Sequence, residues 1–117
     1  MVRRSRDDHR IPLLRGEVWL AALDPTIGSE IQKTRPCVII SPPEMNDRLR
    51  TVIAAPMTTG NRPAPSRIPV SFQDRTGLIL LDQIRTLDRS RLVRRLGAVS
   101  AETLRITLAT LREIFDE

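Results

Sequence analysis

The amino-acid sequence predicts a small, mainly-β domain of the α+β class, in which antiparallel strands form a strongly bent sheet or barrel with a C-terminal α-helix packed against it. Two observations predict this class. Several short apolar segments follow one another with only irregular loops between them, and one amphipathic helix closes the chain. No segment of helical length separates the early strands, which disfavours a parallel βαβ arrangement. At 117 residues the chain has the usual size of one domain.

The strands are predicted from runs of apolar and β-branched residues. In residues 16–23, the odd-numbered and the even-numbered positions after Glu17 are both apolar. We therefore expect both faces of this strand to be buried, one by the helix and the other by a partner subunit. Residues 36–41 and 51–57 read as central strands, and the two prolines of PPEMNDRLR predict a loop between them. Further strands are predicted in RIPVSF and TGLILLDQIRTL, and RLVRRLGAV forms either a last strand or a short helix and a strand.

The C-terminal helix is predicted from its cap and its apolar spacing. Ser100 is a favourable N-cap residue, and Glu102 complements the helix dipole in the first turn. Apolar residues then recur at spacings typical of one helix face, at Leu104, Leu108, Leu111 and Phe115.

Composition and charge narrow the class of protein. The formal net charge is +5, and all but one of the 19 basic residues are arginine, which favours a nucleic-acid partner because a guanidinium matches phosphate geometry. Residues 1–14 are interpreted as a mobile basic leader and residues 15–117 as the single domain. No apolar run approaches the ~20 residues of a membrane span, so we expect a cytoplasmic protein. The lone cysteine, Cys37, is expected to be an inert core thiol.

Four motifs in order resemble the MazF/PemK family of toxin endoribonucleases from bacterial toxin–antitoxin systems. They are RGEVWLAALDPTIGSE, TRPCVIISP, TVIAAPMTTG and GLILLDQIRTLD, and the resemblance runs from about Arg15 to the end of the helix. It implies an SH3-like barrel of the CcdB/PemK type that forms a homodimer. It also implies an mRNA interferase that binds single-stranded RNA, messenger RNA first, with ribosomal and transfer RNA as alternatives. A cognate MazE-like antitoxin would block the RNA groove.

The resemblance implies cleavage without a metal or other cofactor. The substrate's own 2′-hydroxyl attacks the adjacent phosphorus and leaves a 2′,3′-cyclic phosphate and a 5′-hydroxyl. Arg35 matches the essential arginine of the family's RP motif and would stabilise the charged phosphorane. Thr58 matches a family hydroxyl and would hydrogen-bond the scissile phosphate. Glu30 matches the acidic residue of the GSE motif, and it either accepts the 2′-hydroxyl proton or holds Arg35 in place.

Other matching positions are expected to contact RNA. Asp82 matches an aspartate that, in the PemK branch of the family, acts with an arginine two positions earlier. This chain has Leu80 at that earlier position, so the same pair cannot form in the same way. Gln83 can both donate to and accept from a base edge. The expected RNA-binding residues are Gly28, Ser29, Gln32, Lys33, Thr59, Asp82, Gln83 and Arg85.

Two alternatives stay open at this level. A CcdB-like toxin on the same fold would bind DNA gyrase and cut no RNA, although that group depends on a terminal Trp-Gly-Ile and this chain ends in Phe115, Asp116 and Glu117. A catalytically inactive RNA-binding module on the same fold is the second alternative, because the roles of Thr58 and Glu30 are carried over from the family.

Overall fold

A computed structural model of the protein describes residues 11–23, 34–60 and 62–117. These residues form seven strands and two helices, with single 3₁₀ turns before the last two strands. The elements are β1 (Glu17–Ala22), β2 (Thr34–Ile39), α1 (Pro43–Arg48), β3 (Thr51–Thr58), β4 (Arg67–Phe72), β5 (Arg75–Leu80), β6 (Arg85–Asp88), β7 (Leu92–Ala98) and α2 (Ala101–Ile114).

The strands form one curled antiparallel sheet in the order β4-β5-β3-β2-β1-β7. β3 pairs with three strands: with β2 along its middle, with β6 along its first half and with β5 at its last two residues. This division bends the sheet along β3. The two ends of the sheet then approach each other, and the Gln73 Nε2 atom donates a hydrogen bond to the Leu96 carbonyl at 3.2 Å. The predicted fold class, a small bent antiparallel barrel with a C-terminal helix, is confirmed.

Both faces of β1 are buried, as the sequence predicts, but the second face is covered differently from the expectation. Val18 belongs to the core cluster that includes Leu111 of α2. Trp19 packs on the opposite face with Leu13 and Leu87 of the same chain. The second face is therefore covered by the chain's own N-terminal segment and β6, and its burial requires no partner subunit.

The helix α1 lies where the sequence predicts only a loop, and that prediction was wrong. A proline at the first helical position presets the backbone dihedral, so Pro43 favours helix initiation instead of preventing it. The Asn46 side chain is fully buried and donates to the carbonyls of Leu13 at 2.8 Å and Ser41 at 3.1 Å. These tertiary hydrogen bonds hold the short helix and also fix Leu13, which lies within the predicted leader. Residues 1–10 of that leader lie outside the described residues.

Helix α2 confirms the prediction for the C-terminal segment. The Ser100 hydroxyl accepts a hydrogen bond from the Thr103 backbone N–H at 3.0 Å, so the predicted N-cap is formed. Leu111 is buried in the core as predicted. The prediction that Phe115 belongs to the apolar face was wrong, because the helix ends at Ile114 and Phe115 is 73% exposed. No helix among the described residues is long and apolar enough to cross a membrane.

Candidate active site

Arg35 and Thr58 lie at the same edge of the sheet. The antiparallel register of β2 and β3 pairs Cys37 with Pro56. This is the outermost pair of the β2–β3 ladder, and Arg35 and Thr58 lie two residues beyond it on their strands. Both residues line two neighbouring surface grooves. The structure therefore brings together two of the three predicted catalytic residues, which are 23 positions apart in the sequence.

Two grooves meet at this pair. The hairpin groove, with a volume of about 500 Å³, lies between the Arg35–Thr58 edge and the β4–β5 hairpin, where Phe72, Arg75 and Thr76 line it. The strand-end groove, of about 410 Å³, lies on the other side. Besides Arg35 and Thr58, its lining residues are Leu23, Pro56, Leu80, Gln83 and Arg85. An extended chain laid through both grooves would pass over Arg35 and Thr58.

Arg35 is partly buried near the start of β2, where its backbone pairs with Ala21 of β1. Its guanidinium has no hydrogen-bond or ion-pair partner among the described residues. A guanidinium can bind two oxygens of one phosphate through its planar set of donors. Arg35 therefore brings the chemistry suited to an anion to the place where the two grooves meet.

Thr58 is the last residue of β3, and its Oγ1 atom accepts a long hydrogen bond of 3.4 Å from the Gly60 backbone N–H. Its backbone lies against Gly77 of β5. A Cβ atom added at Gly77 would lie less than 3.0 Å from the Thr58 carbonyl oxygen. Only glycine allows this approach, so Gly77 sets the position of Thr58. Gly77 was not predicted as a site residue, although a glycine inside an apolar strand often marks a close backbone approach.

The predicted RNA-binding residues divide into three groups. Gln83 and Arg85 line the strand-end groove, and the exposed Thr59 lines the hairpin groove. Asp82 lines neither groove. The remaining predicted site residues lie outside the described residues; they are Gly28, Ser29, Glu30, Gln32 and Lys33.

Asp82 forms a two-pronged ion pair with Arg67 of β4. Arg67 Nε donates to Oδ1 at 3.2 Å and Nη2 donates to Oδ2 at 3.1 Å, while the Ser66 hydroxyl donates to Oδ1 at 3.3 Å. The hydrogen bonds from Arg67 hold the pKa of the Asp82 carboxyl below its usual value. Arg67 is the cross-strand partner of Leu80. The carboxylate therefore receives its arginine from the neighbouring strand instead of from position 80.

Cys37 and Trp19 belong to the core. Burial raises the pKa of Cys37 to about 11, against the lowering effect of the Arg85 and Arg35 charges, so the thiol stays protonated at neutral pH. The prediction of an inert core thiol is consistent with this position. The Trp19 indole N–H donates to the buried Glu17 carboxylate at 3.0 Å. Within the described ranges, no three His, Cys, Asp or Glu side chains lie close enough to hold a metal ion.

The sequence matches one protein-family model and is similar to named relatives over most of its length. Residues 14–115 match the model of a family described as PemK-like, MazF-like toxin of type II toxin–antitoxin system. The chain is 36% identical over 120 residues to endoribonuclease PemK of Escherichia coli, covering 97% of this chain and 86% of the relative. It is 41% identical over 92 residues to endoribonuclease MazF of Staphylococcus epidermidis, covering 74% of this chain and 77% of the relative.

A solved structure shares the fold. It is described as an endoribonuclease in complex with its cognate antitoxin from mycobacterial species. This chain matches it with a TM-score of 0.71 and 28% identity, over 86% of this chain and 92% of the other.

Proposed function

Because this chain belongs to the family of PemK-like, MazF-like toxins of type II toxin–antitoxin systems, we propose that it is an endoribonuclease toxin that cleaves single-stranded RNA. The observation that supports the proposal is that Arg35 and Thr58 both line the two neighbouring grooves. A strand of RNA lying along both grooves has one phosphate at this junction. That phosphate is the proposed site of cleavage.

The proposed reaction is a transesterification within the substrate. The ribose 2′-oxygen forms a bond to the adjacent phosphorus while the bond from phosphorus to the 5′-oxygen breaks. The proton of the 2′-hydroxyl passes to a base, and the departing 5′-oxygen gains a proton. The products are a 2′,3′-cyclic phosphate and a 5′-hydroxyl, and neither water nor a redox partner is consumed. Since the nucleophile is tethered to the substrate, the enzyme's main tasks are orientation and charge stabilisation.

Arg35 supplies most of the charge stabilisation in this proposal. Negative charge grows on the phosphorane oxygens, and a fixed guanidinium stabilises it more than it stabilises the ground state. Losing one such donor costs about 3 kcal/mol, or roughly a hundredfold in rate. Thr58 orients the phosphate by a hydrogen bond from its hydroxyl. It is not proposed as the general base, because a threonine hydroxyl does not titrate near neutral pH. Glu30, outside the described residues, is the proposed proton acceptor or the partner that holds Arg35.

The RNA path follows from the grooves. In the strand-end groove the Gln83 amide can read a base edge, and Arg85 lies in the same groove. Thr59 lies on the hairpin side of the junction. The segment before β2 lies outside the described residues. Its proposed RNA contacts are Gly28, Ser29, Gln32 and Lys33.

Partners are proposed by similarity. The mycobacterial relative is described in complex with its cognate antitoxin, and we propose that a MazE-like antitoxin inhibits this chain by occupying its RNA grooves. We further propose that the active form is a homodimer and that it acts in the cytoplasm, where RNA substrates are found.

The test is incubation of the purified protein with a long single-stranded RNA in EDTA, followed by mapping of the fragment ends. Defined cuts with 5′-hydroxyl and 2′,3′-cyclic phosphate ends are expected. Arg35→Ala should lose cleavage at least about a hundredfold and keep its Tm, whereas Arg112→Ala, which removes an exposed arginine on α2, should cut like the wild type. Full activity of Arg35→Ala would refute the site, and dependence on an added divalent ion would refute metal independence.

Thr58 is tested with a shape-conserving pair of variants. Thr58→Val removes the hydroxyl and keeps the β-branched shape, so it should slow cleavage about tenfold or more by loss of one hydrogen bond. Thr86→Val makes the same change at an exposed position of β6 outside both grooves and should have no effect. Equal rates for the two variants would remove Thr58 from the proposed mechanism.

A further inference from the structure

The β4–β5 hairpin forms a fixed wall of the hairpin groove. Its two-residue turn has positive φ at both Gln73 (53°) and Asp74 (64°), the backbone geometry that joins antiparallel strands most tightly. The Gln73 side chain donates to the Leu96 carbonyl of β7. Phe72 also packs beside Gly97 of β7, where an added Cβ would lie 3.1 Å from the ring. These contacts hold the hairpin against the barrel, so the groove is present before any ligand binds.

The hairpin side of this groove carries groups that suit a nucleotide. Arg75 is exposed and lines the groove, and no hydrogen-bond or ion-pair partner for its guanidinium lies among the described residues. Phe72, Met57 and Val70 provide an aromatic and apolar surface, and Thr76 adds a hydroxyl. No acidic side chain of the described part of the chain lines this groove.

This combination suits a single-stranded nucleic acid. Aromatic side chains stack on the faces of unpaired bases, and arginines bind phosphates along the same strand. The groove volume of about 500 Å³ is within the range of roughly 300–1,000 Å³ that small organic ligands occupy. Arg35 and Thr58 line both the hairpin groove and the strand-end groove. A nucleotide in the hairpin groove would therefore be continuous with the RNA strand at the scissile phosphate.

We propose that the hairpin groove is a nucleotide subsite that holds the nucleotide next to the scissile phosphate, with its phosphate against Arg75 and its base over Phe72. This inference rests on the proposed RNA-cleaving function. Arg75 contacts a phosphate that does not react, so it binds ground state and transition state equally. Its loss therefore raises KM and leaves kcat unchanged, unlike loss of Arg35.

The test uses single-stranded oligoribonucleotides that contain a mapped cut site. One carries a 2′-deoxyribose at that site so that it binds without being cut. A second set also carries one abasic residue at each position flanking the cut, which removes a base and keeps its phosphate. The proteins compared are the wild type, Arg75→Gln, Phe72→Leu and the charge-matched control Arg112→Gln on α2.

Arg75→Gln should weaken binding of the uncut oligonucleotide about tenfold, and should reduce the slope of log Kd against log salt by about 0.7. Arg112→Gln should change neither quantity. Phe72→Leu should weaken binding of the intact oligonucleotide. On the oligonucleotide that lacks the base proposed to lie over Phe72, Phe72→Leu and the wild type should bind equally. Arg75→Gln should still bind that oligonucleotide more weakly than the wild type does.

Equal affinities for Arg75→Gln and Arg112→Gln would overturn the subsite. So would a Phe72→Leu defect of the same size at every abasic position. If the wild type cuts RNA and Arg75→Gln matches it, the subsite is wrong and the proposed nuclease function stands. If the wild type neither binds nor cuts RNA, both are wrong. Because Phe72 also packs beside Gly97, Arg75→Gln alone decides the matter should Phe72→Leu fail to fold.

Discussion

Gly77 offers a direct test of how the fold positions the proposed catalytic hydroxyl. An alanine Cβ at Gly77 would lie less than 3.0 Å from the Thr58 carbonyl oxygen, 3.2 Å from the Thr58 carbonyl carbon and 3.4 Å from the Thr59 Cα. All of these atoms are backbone, so no flexible side chain can move aside. The β3 and β5 strands must separate instead, by about 1 Å if ordinary van der Waals contact is to be restored.

Two losses of different size should follow from Gly77→Ala. Forcing an extra methyl group between packed strands costs roughly 1–3 kcal/mol of folding stability. Each kcal/mol lowers Tm by about 4 °C in a domain of this size. Misplacing a catalytic group by about 1 Å can cost on the order of a hundredfold in rate. Cleavage should therefore fall much further than stability does.

The assay combines thermal unfolding with RNA cleavage measured well below the Tm of the variant. Gly60→Ala is the matched control for stability, since an added Cβ at Gly60 meets nothing within 4 Å, and its Tm should match the wild type. A Gly77→Ala protein that keeps the Tm and cleavage rate of the wild type would refute the reasoning. An unchanged rate with a lowered Tm would show that Thr58 tolerates the displacement.

Three further predictions concern the rest of the molecule. Asp82→Asn should reduce stability at neutral pH only, because the pKa of Asp82 is lowered in the folded state by Arg67; the stabilisation is present above the unfolded pKa of about 3.9 and disappears as pH falls through the folded value. Urea unfolding from pH 7 to pH 2 should show the two proteins converging in acid, and a constant difference would contradict this. Asn46→Ala should destabilise by about 2–4 kcal/mol in urea titrations, since two buried carbonyls lose their donor; a change below about 0.5 kcal/mol would argue against that network. Cys37, with its pKa raised to about 11, should react with a thiol reagent at pH 8 only as fast as the protein unfolds, and rapid labelling of the native protein would place the thiol nearer the surface.

Local chemistry explains the features that were predictable. Helix α2 could be predicted because its cap lies within the segment itself and its apolar spacing follows the helix period, so no distant residue is needed to specify it. The central strands β2 and β3 were predictable for the same reason, since their β-branched runs favour extended backbone wherever they are placed. The candidate residues Arg35 and Thr58 came from the family resemblance, which compares positions along the chain.

Features that depend on contacts between distant segments were not predictable. Helix α1 depends on Asn46 reaching the Leu13 carbonyl 33 residues away, and its two prolines alone favoured a loop. The second face of β1 is closed by Leu13 and Leu87, which no periodicity in β1 could indicate. The register of neighbouring strands likewise gave Asp82 its partner Arg67.

The sequence by itself determined a bent antiparallel domain with a capped C-terminal helix and membership of the PemK-like, MazF-like toxin family, because these depend on local propensity and on motif order. Only the tertiary structure decided which residues share a surface. The register of β2 on β3 brings Arg35 and Thr58 to one edge, and the β4–β5 hairpin closes a groove beside them with Phe72 and Arg75. Strand pairing joins residues that are far apart in the chain, and no pattern within a single segment records that pairing.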